Sequence, residues 1–189
     1  MKDEVKILAV VGMSGSGKTE VVNFMTNKGV PKVYFGGMIY KEMEKRGIER
    51  SADGESEKRF REMIRETEGK DWVANQVIQE VRNLMEAGQK RIVLDGLYSW
   101  TEYKTLKKEF PSLLKVVAVV AKKSLRYKRV AKRSERPFNS AEIRERDRSE
   151  VENLEKGGPI AMADYYLLND GRLSDLNENL RKILLEMEF

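Results

Sequence analysis

The run Gly12-Met13-Ser14-Gly15-Ser16-Gly17-Lys18-Thr19 places a lysine and a hydroxyl directly after a glycine- and serine-rich stretch. Glycines let a backbone curl until successive N–H groups point inward around an anion. The spacing Gly-x-x-x-x-Gly-Lys-Thr is that of a phosphate loop. On this reading Gly12, Ser14, Gly15, Ser16 and Gly17 wrap a nucleotide's phosphates, Lys18 reaches the outer ones and Thr19 holds Mg²⁺. A plain Gly/Ser turn has no need of Lys followed by Thr at this place. The motif points to triphosphate binding, and does not by itself separate a kinase from other triphosphate-binding proteins.

Two further groups of residues bear on that separation. Asp95-Gly96 follows an apolar run, where a carboxylate near the phosphate loop can orient Mg²⁺; the alternative is a turn or capping residue. Arg126, Arg129 and Arg133 follow i, i+3, i+7 spacing on one helix face, with Pro137 and then Arg144, Arg146 and Arg148 beyond them. Such arginines either close over a transferring phosphoryl group and spread its charge, or form a solvated face balanced by Glu135, Glu142, Glu145 and Asp147. A GTPase would show Asn-Lys-x-Asp after a late strand. The corresponding place reads Leu168-Asn169-Asp170-Gly171 and lacks the lysine. Large mechanical ATPases need a longer chain.

The elements that must hold these residues are legible from apolar patterning. Five runs read as strands buried on both faces: Lys6–Val11, Lys32–Phe35, Arg91–Leu94, Lys115–Val120 and Tyr165–Leu168. Helical patterns lie between them. One is opened by Asp71 and closed by Gly88, one opens on a Ser99/Glu102 capping box, and the last runs from about Leu173 to Met187. Strands alternating with helices predict an α/β fold with a parallel sheet. The segments Arg46–Lys70 and Lys122–Gly158 are rich in charge and read as an arm and as either an exposed helical pair or a flap.

Composition limits the chemistry. The 189 residues suit one domain, and 40% hydrophobic content supports a core. There is no cysteine and no histidine, so disulfides, thiolate metal sites and the usual general base are excluded. Catalysis must rest on carboxylates, Lys, Arg, hydroxyls, main-chain groups or a bound ion. The run Val5 to Val11 is too short to cross a membrane and has no signal-peptide cleavage pattern, which suits a cytoplasmic protein. Thirty-six basic against 31 acidic residues give a net charge of +5. A mixed solvated surface, or a basic cleft for a small polyanion, accounts for that better than a nucleic-acid face. The oligomeric state is not legible.

Together, Gly12–Thr19, Asp95-Gly96, the Arg126–Arg133 stretch and Ala163-Asp164-Tyr165-Tyr166-Leu167-Leu168-Asn169-Asp170-Gly171 resemble the dephospho-CoA kinase and nucleoside-monophosphate-kinase branch of P-loop proteins. The likeness is greatest to an uncharacterised archaeal group of dephospho-CoA kinase-like, adenylate-kinase-related proteins, and it covers essentially the whole chain. It implies a three-layer αβα sandwich whose five-stranded parallel sheet has the order 2-3-1-4-5. It further implies an acceptor-binding arm over 37–70, an arginine lid over 122–158, ATP as phosphoryl donor, Mg²⁺ and a nucleotide-like acceptor. Asn169 would lie beside the adenine, Arg126 and Arg129 would bracket the nucleotide, and Arg65 would face the acceptor. Relatives of this branch usually read Gly-Asp-x-x-Arg after strand two, where this chain has Gly36-Gly37-Met38-Ile39-Tyr40. They often place an arginine after Asp-Gly, where this chain has Leu97-Tyr98. The acceptor side is thus expected to use other residues, with Gly37, Tyr40 and Tyr98 as candidates; both tyrosines can stack on a base or simply pack in the core.

Overall fold

The computed structural model describes residues 4–51, 54–133 and 138–189. Five parallel strands, β1 (Lys6–Val11), β2 (Lys32–Tyr34), β3 (Arg91–Asp95), β4 (Leu114–Val120) and β5 (Tyr165–Leu168), form one sheet in the order β2-β3-β1-β4-β5. Nine helices of the described residues alternate with them. These are α1 (Lys18–Thr26), α2 (Phe35–Lys45), α3 (Glu55–Thr67), α4 (Trp72–Glu86), α5 (Trp100–Glu109), α6 (Lys123–Ala131), α7 (Ser140–Glu152), α8 (Gly157–Ala161) and α9 (Leu173–Glu186). No helix among them is long and apolar enough to cross a membrane.

The central strand β1 shows why the sheet is covered on both sides. Its Ile7, Ala9 and Val11 pack into a core shared with Met38, Ile39, Ile64, Val77 and Leu106. Its Leu8 and Val10 pack the opposite way, against Val21, Val22, Met25, Leu176 and Leu180. Side chains alternate across a strand, so a continuous apolar run must find two hydrophobic layers. Each fully buried aliphatic side chain contributes roughly 1.5–3 kcal/mol, which makes β1 a firm anchor for the loop at its carboxyl end.

Register then places the chemistry. Val10 of β1 and Tyr34 of β2 both lie opposite Asp95 at the end of β3. The loop that leaves Val11 therefore starts beside Asp95, in the crevice outside the carboxyl ends of the strands. At the other edge, Asp164 ties β5 to β4 by accepting from the Val116 N–H (2.8 Å) and from Lys107 (3.0 Å).

Several boundaries differ from the sequence expectation. Phe35 opens α2 instead of ending β2, and β3 and β4 each extend by one residue, to Asp95 and from Leu114. Asp71 does not cap α4: its backbone is already in the helical region, and its carboxylate accepts from the Asn75 side chain instead. The Ser99/Glu102 capping box is present, and Glu102 also accepts from the Tyr98 N–H. The 37–70 stretch includes most of α2, whose Met38, Ile39 and Met43 belong to the core; α3 is the more polar part. The charged 122–158 stretch contains the helical pair α6 and α7, yet it buries Arg126, Val130, Ile143, Glu150 and Lys156. Glu135 and Pro137 lie outside the described residues.

Candidate active site

The phosphate loop is shaped by what stands behind it. Gly17 caps α1 in the left-handed region (φ 103°), and a Cβ there would collide with the Asn169 amide. A Cβ on Gly12 would collide with the Val119 carbonyl of β4. Glycine is thus required at both positions, by backbone conformation at the first and by close approach at both. Lys18 folds back over the loop, donating to the Gly12 carbonyl (2.7 Å) and the Met13 carbonyl (3.2 Å). Burial brings its pKa down to about 7. Lys156 and Arg146 push the same way, and Glu150 and Asp95 partly offset them. An ammonium so placed gains strongly from an incoming phosphate.

Two further side chains brace this loop. Asn169 donates to the Ser16 carbonyl (2.8 Å) and accepts from Arg129 (3.4 Å). Arg126, only 7% exposed, donates to the Ser14 carbonyl (2.9 Å) and grips Asp147 of α7 through two bonds of 3.0 and 2.6 Å. The three arginines therefore do not share one solvent-facing stripe. Arg126 is committed to protein groups, Arg129 lies toward Asn169, and Arg133 falls beyond the end of α6. Burial lowers the Arg133 pKa, with Arg146 adding to the effect.

A cavity of about 450 Å³ opens in front of the loop, bounded by Gly17, Lys18, Thr19, Arg129, Arg133 and Asn169, with Gly15 at its floor and Leu173 as an apolar wall. Among the described residues the buried Arg129 Nη1 at this cavity, and the Ser16 hydroxyl inside the loop, have no hydrogen-bond partner. Unpaired buried groups of this kind are rare in folded chains, and a phosphate oxygen would satisfy both. The residues fit a nucleotide. Among the described residues no cluster of three or more His, Cys, Asp or Glu could cage a metal. Mg²⁺ is commonly held by one or two protein oxygens plus phosphates, and Thr19 and Asp95 could serve in that manner.

The other side of the cleft is aromatic. Asp95 lies 4.0 Å from Lys32, and burial raises its pKa against the pull of Lys32 and Lys18. Tyr34 meets Tyr40 edge-on at 6.2 Å, and Tyr98 meets Phe35 edge-on at 6.5 Å. Burial pushes the Tyr34 phenol up to about 12, with Tyr40 next in effect, and burial also raises Tyr98. Gly37 lies against the Tyr34 ring, and the Arg50 guanidinium covers Tyr40 at 4.0 Å. Arg65 on α3 has its pKa lowered by burial and partly restored by Glu102. Tyr40, Tyr98 and Gly37 thus meet at a tyrosine cluster centred on Tyr34, which sequence reasoning passed over, and Arg65 reaches this side through Glu102.

Sequence reasoning also missed a charged group at the turn between α7 and α8. Lys156, 1% exposed, stands 2.9 Å from Glu150 and 4.8 Å from the Tyr98 ring centroid. The two form a buried ion pair, an ammonium against a carboxylate that is itself only 6% exposed. Arg146 reaches the other Glu150 oxygen at 3.3 Å. The only sequence signal was the i, i+4 spacing of Arg146 and Glu150.

Comparison with known proteins agrees with this architecture. The family model described as an AAA domain matches residues 8–153. A UPF0200 protein of Pyrococcus abyssi is 35% identical over 185 residues, spanning 94% of this chain and 97% of that one. Among solved structures, a dephospho-CoA kinase from Campylobacter jejuni superposes with a TM-score of 0.58 at 16% identity, covering 96% of this chain and 97% of the other. A shikimate kinase from Acinetobacter baumannii, in complex with shikimate, gives 0.57 at 18% identity, covering 99% and 97%. The fold is that of P-loop kinases, and the chain belongs to the UPF0200 family and carries its AAA-type P-loop domain.

Proposed function

We propose that the protein is an ATP-dependent kinase that transfers the γ-phosphoryl group to a small nucleotide-like acceptor. The observation that carries this reading is the cavity in front of the phosphate loop, lined by Lys18, Thr19, Arg129, Arg133 and Asn169, with the Arg129 Nη1 unpartnered among the described residues. In such a transfer an acceptor oxygen forms a new bond to the γ-phosphorus while the bond to the β–γ bridging oxygen breaks, its electrons leaving with ADP. An anionic acceptor oxygen has no proton to lose, which suits a chain without histidine. Lys18 and the loop N–H groups hold the phosphates, and Arg129 and Arg133 face the charge that develops. Arg126 positions the loop and α7 instead of meeting the nucleotide. When bound, Mg²⁺ supplies charge neutralisation at the outer phosphates, and Thr19 and Asp95 are the residues that would hold it. Asn169 supports the nucleotide by fixing the loop, and Tyr40, Tyr98, Arg65 and Gly37 border the acceptor side.

The test is ADP release from Mg²⁺-ATP against a panel of nucleoside monophosphates, deoxynucleotides and dephospho-CoA. Stimulation by one acceptor, with the matching phosphorylated product, is expected. A flat panel with slow background hydrolysis would instead support a nucleotide-dependent regulator.

A further inference from the structure

Lys156 belongs neither to the phosphate loop nor to the arginines of α6. It sits at the turn between α7 and α8, where its own N–H bonds the Glu150 carbonyl at 3.1 Å. That turn carries the ammonium onto the Tyr98 ring and into the electrostatic reach of Lys18. Lys156 thus lies between the donor loop and the acceptor wall.

The local charge balance is incomplete. Lys18, Lys156 and Arg146 are three cations that interact there. Of the carboxylates near them, Glu102 is bonded to the Tyr98 and Ser99 N–H groups, and Asp95 is approached by Lys32. Both act on these cations from a distance, and among the described residues Glu150 is the carboxylate in direct contact, shared between Arg146 and Lys156. Burial works to raise the Glu150 pKa, but Lys156, Arg146 and Lys18 outweigh it and hold the carboxyl below its usual range. Lys156 Nζ meets Glu150 at 2.9 Å, and Arg146 takes the other oxygen of the same carboxylate at 3.3 Å. A buried ammonium whose carboxylate partner is shared with a second cation is incompletely compensated. A phosphate monoester offers three acceptor oxygens and about two negative charges in the same place.

We infer that Lys156 is the acceptor's anion-binding residue, exchanging Glu150 for a phosphate monoester on the acceptor, which stands over Tyr98. The inference rests on the kinase reading and narrows it to acceptors that already carry a phosphate. It also supplies a cation on the side where Leu97-Tyr98 provides none.

The test is calorimetric binding of AMP, GMP, CMP and UMP, and of their parent nucleosides, to the ADP-loaded full-length protein. At least one monophosphate should bind about tenfold or more tightly than its nucleoside. Lys156→Met should weaken that monophosphate at least about tenfold, and Lys156→Arg should recover most of the loss. Glu150→Gln should tighten it by about threefold or more, because the competing carboxylate is gone. A structural ion pair predicts the opposite sign for Glu150→Gln, so weakening in both Lys156→Met and Glu150→Gln would overturn the inference. So would monophosphates that bind no better than nucleosides. If Lys156→Met gives no cooperative melt, the sign of the Glu150→Gln effect decides. ADP formation driven by an unphosphorylated acceptor would sink this inference and leave the kinase standing. Monophosphate binding that responds as expected, with no turnover in the acceptor panel, would do the reverse.

Discussion

The two walls of the cleft are made of different materials. The donor wall is main chain: Lys18, Asn169 and Arg126 all bond to carbonyls of residues 12–16, and strand and helix backbone close in where a Cβ would stand. The opposite wall is side chain, with a tyrosine cluster, a buried lysine and one glutamate answering several cations. A main-chain cradle is fixed by sterics and can recognise only what every triphosphate shares. A side-chain constellation can be rebuilt one residue at a time, so under the proposed function specificity resides there.

The largest break in this contrast should come from Lys18→Ala. ADP formation should fall on the order of a thousandfold or more, several kcal/mol of transition-state stabilisation, in acceptor-stimulated turnover. Unchanged turnover would remove the donor wall from the mechanism.

Next is Arg126→Met, which leaves Asp147 and the Ser14 carbonyl without their partner. Removing one member of a buried ion pair costs about 3 kcal/mol, read as a shift in denaturant midpoint. A variant as stable as the parent would show that the two walls are not joined here.

The smallest effect is in protons. The folded, ligand-free chain titrates Lys18 at about 7, against an ordinary lysine value of 10.5. Between those values the unfolded chain binds more protons, so stability should rise with pH from about 7 to about 10.5 and be level on either side. The groups facing the ammonium are Lys156, Glu150, Arg146 and Asp95. In melting curves the parent should therefore lose stability relative to Lys18→Met as pH falls through this window. ADP binding at slightly alkaline pH should take up a proton, visible as a buffer-dependent heat. Parallel melting profiles would show that the loop does not desolvate its lysine.

How much of this was legible depends on the same contrast. The phosphate loop is a local motif, and the strand before it is a continuous apolar run, so both could be read directly. The Ser99/Glu102 box was legible because its partners stand three residues apart. Arg126 and Asp147 are 21 residues apart and meet only because two helices pack. Lys156 and Glu150 meet across a turn, at a spacing that belongs to neither helix nor strand. In a stretch dense with charge such pairs carry no periodic signal. Asp71 misled because a capping residue type was present while the backbone was already helical. Tyr34 was passed over because it ends a short strand and becomes notable only when the sheet sets it opposite Asp95.

The Arg126 side chain touches the loop carbonyl of Ser14 and the α7 carboxylate of Asp147 with one rigid plane. Two ligands whose sites share such a tie influence each other equally, because the coupling free energy has no direction. Whatever affinity a nucleotide gains from an acceptor already seated under α7, that acceptor must gain from the nucleotide. Under the proposed function, order of addition is then a matter of rates alone, and binding the nucleotide first sets the acceptor's affinity by the same factor that the acceptor would set the nucleotide's.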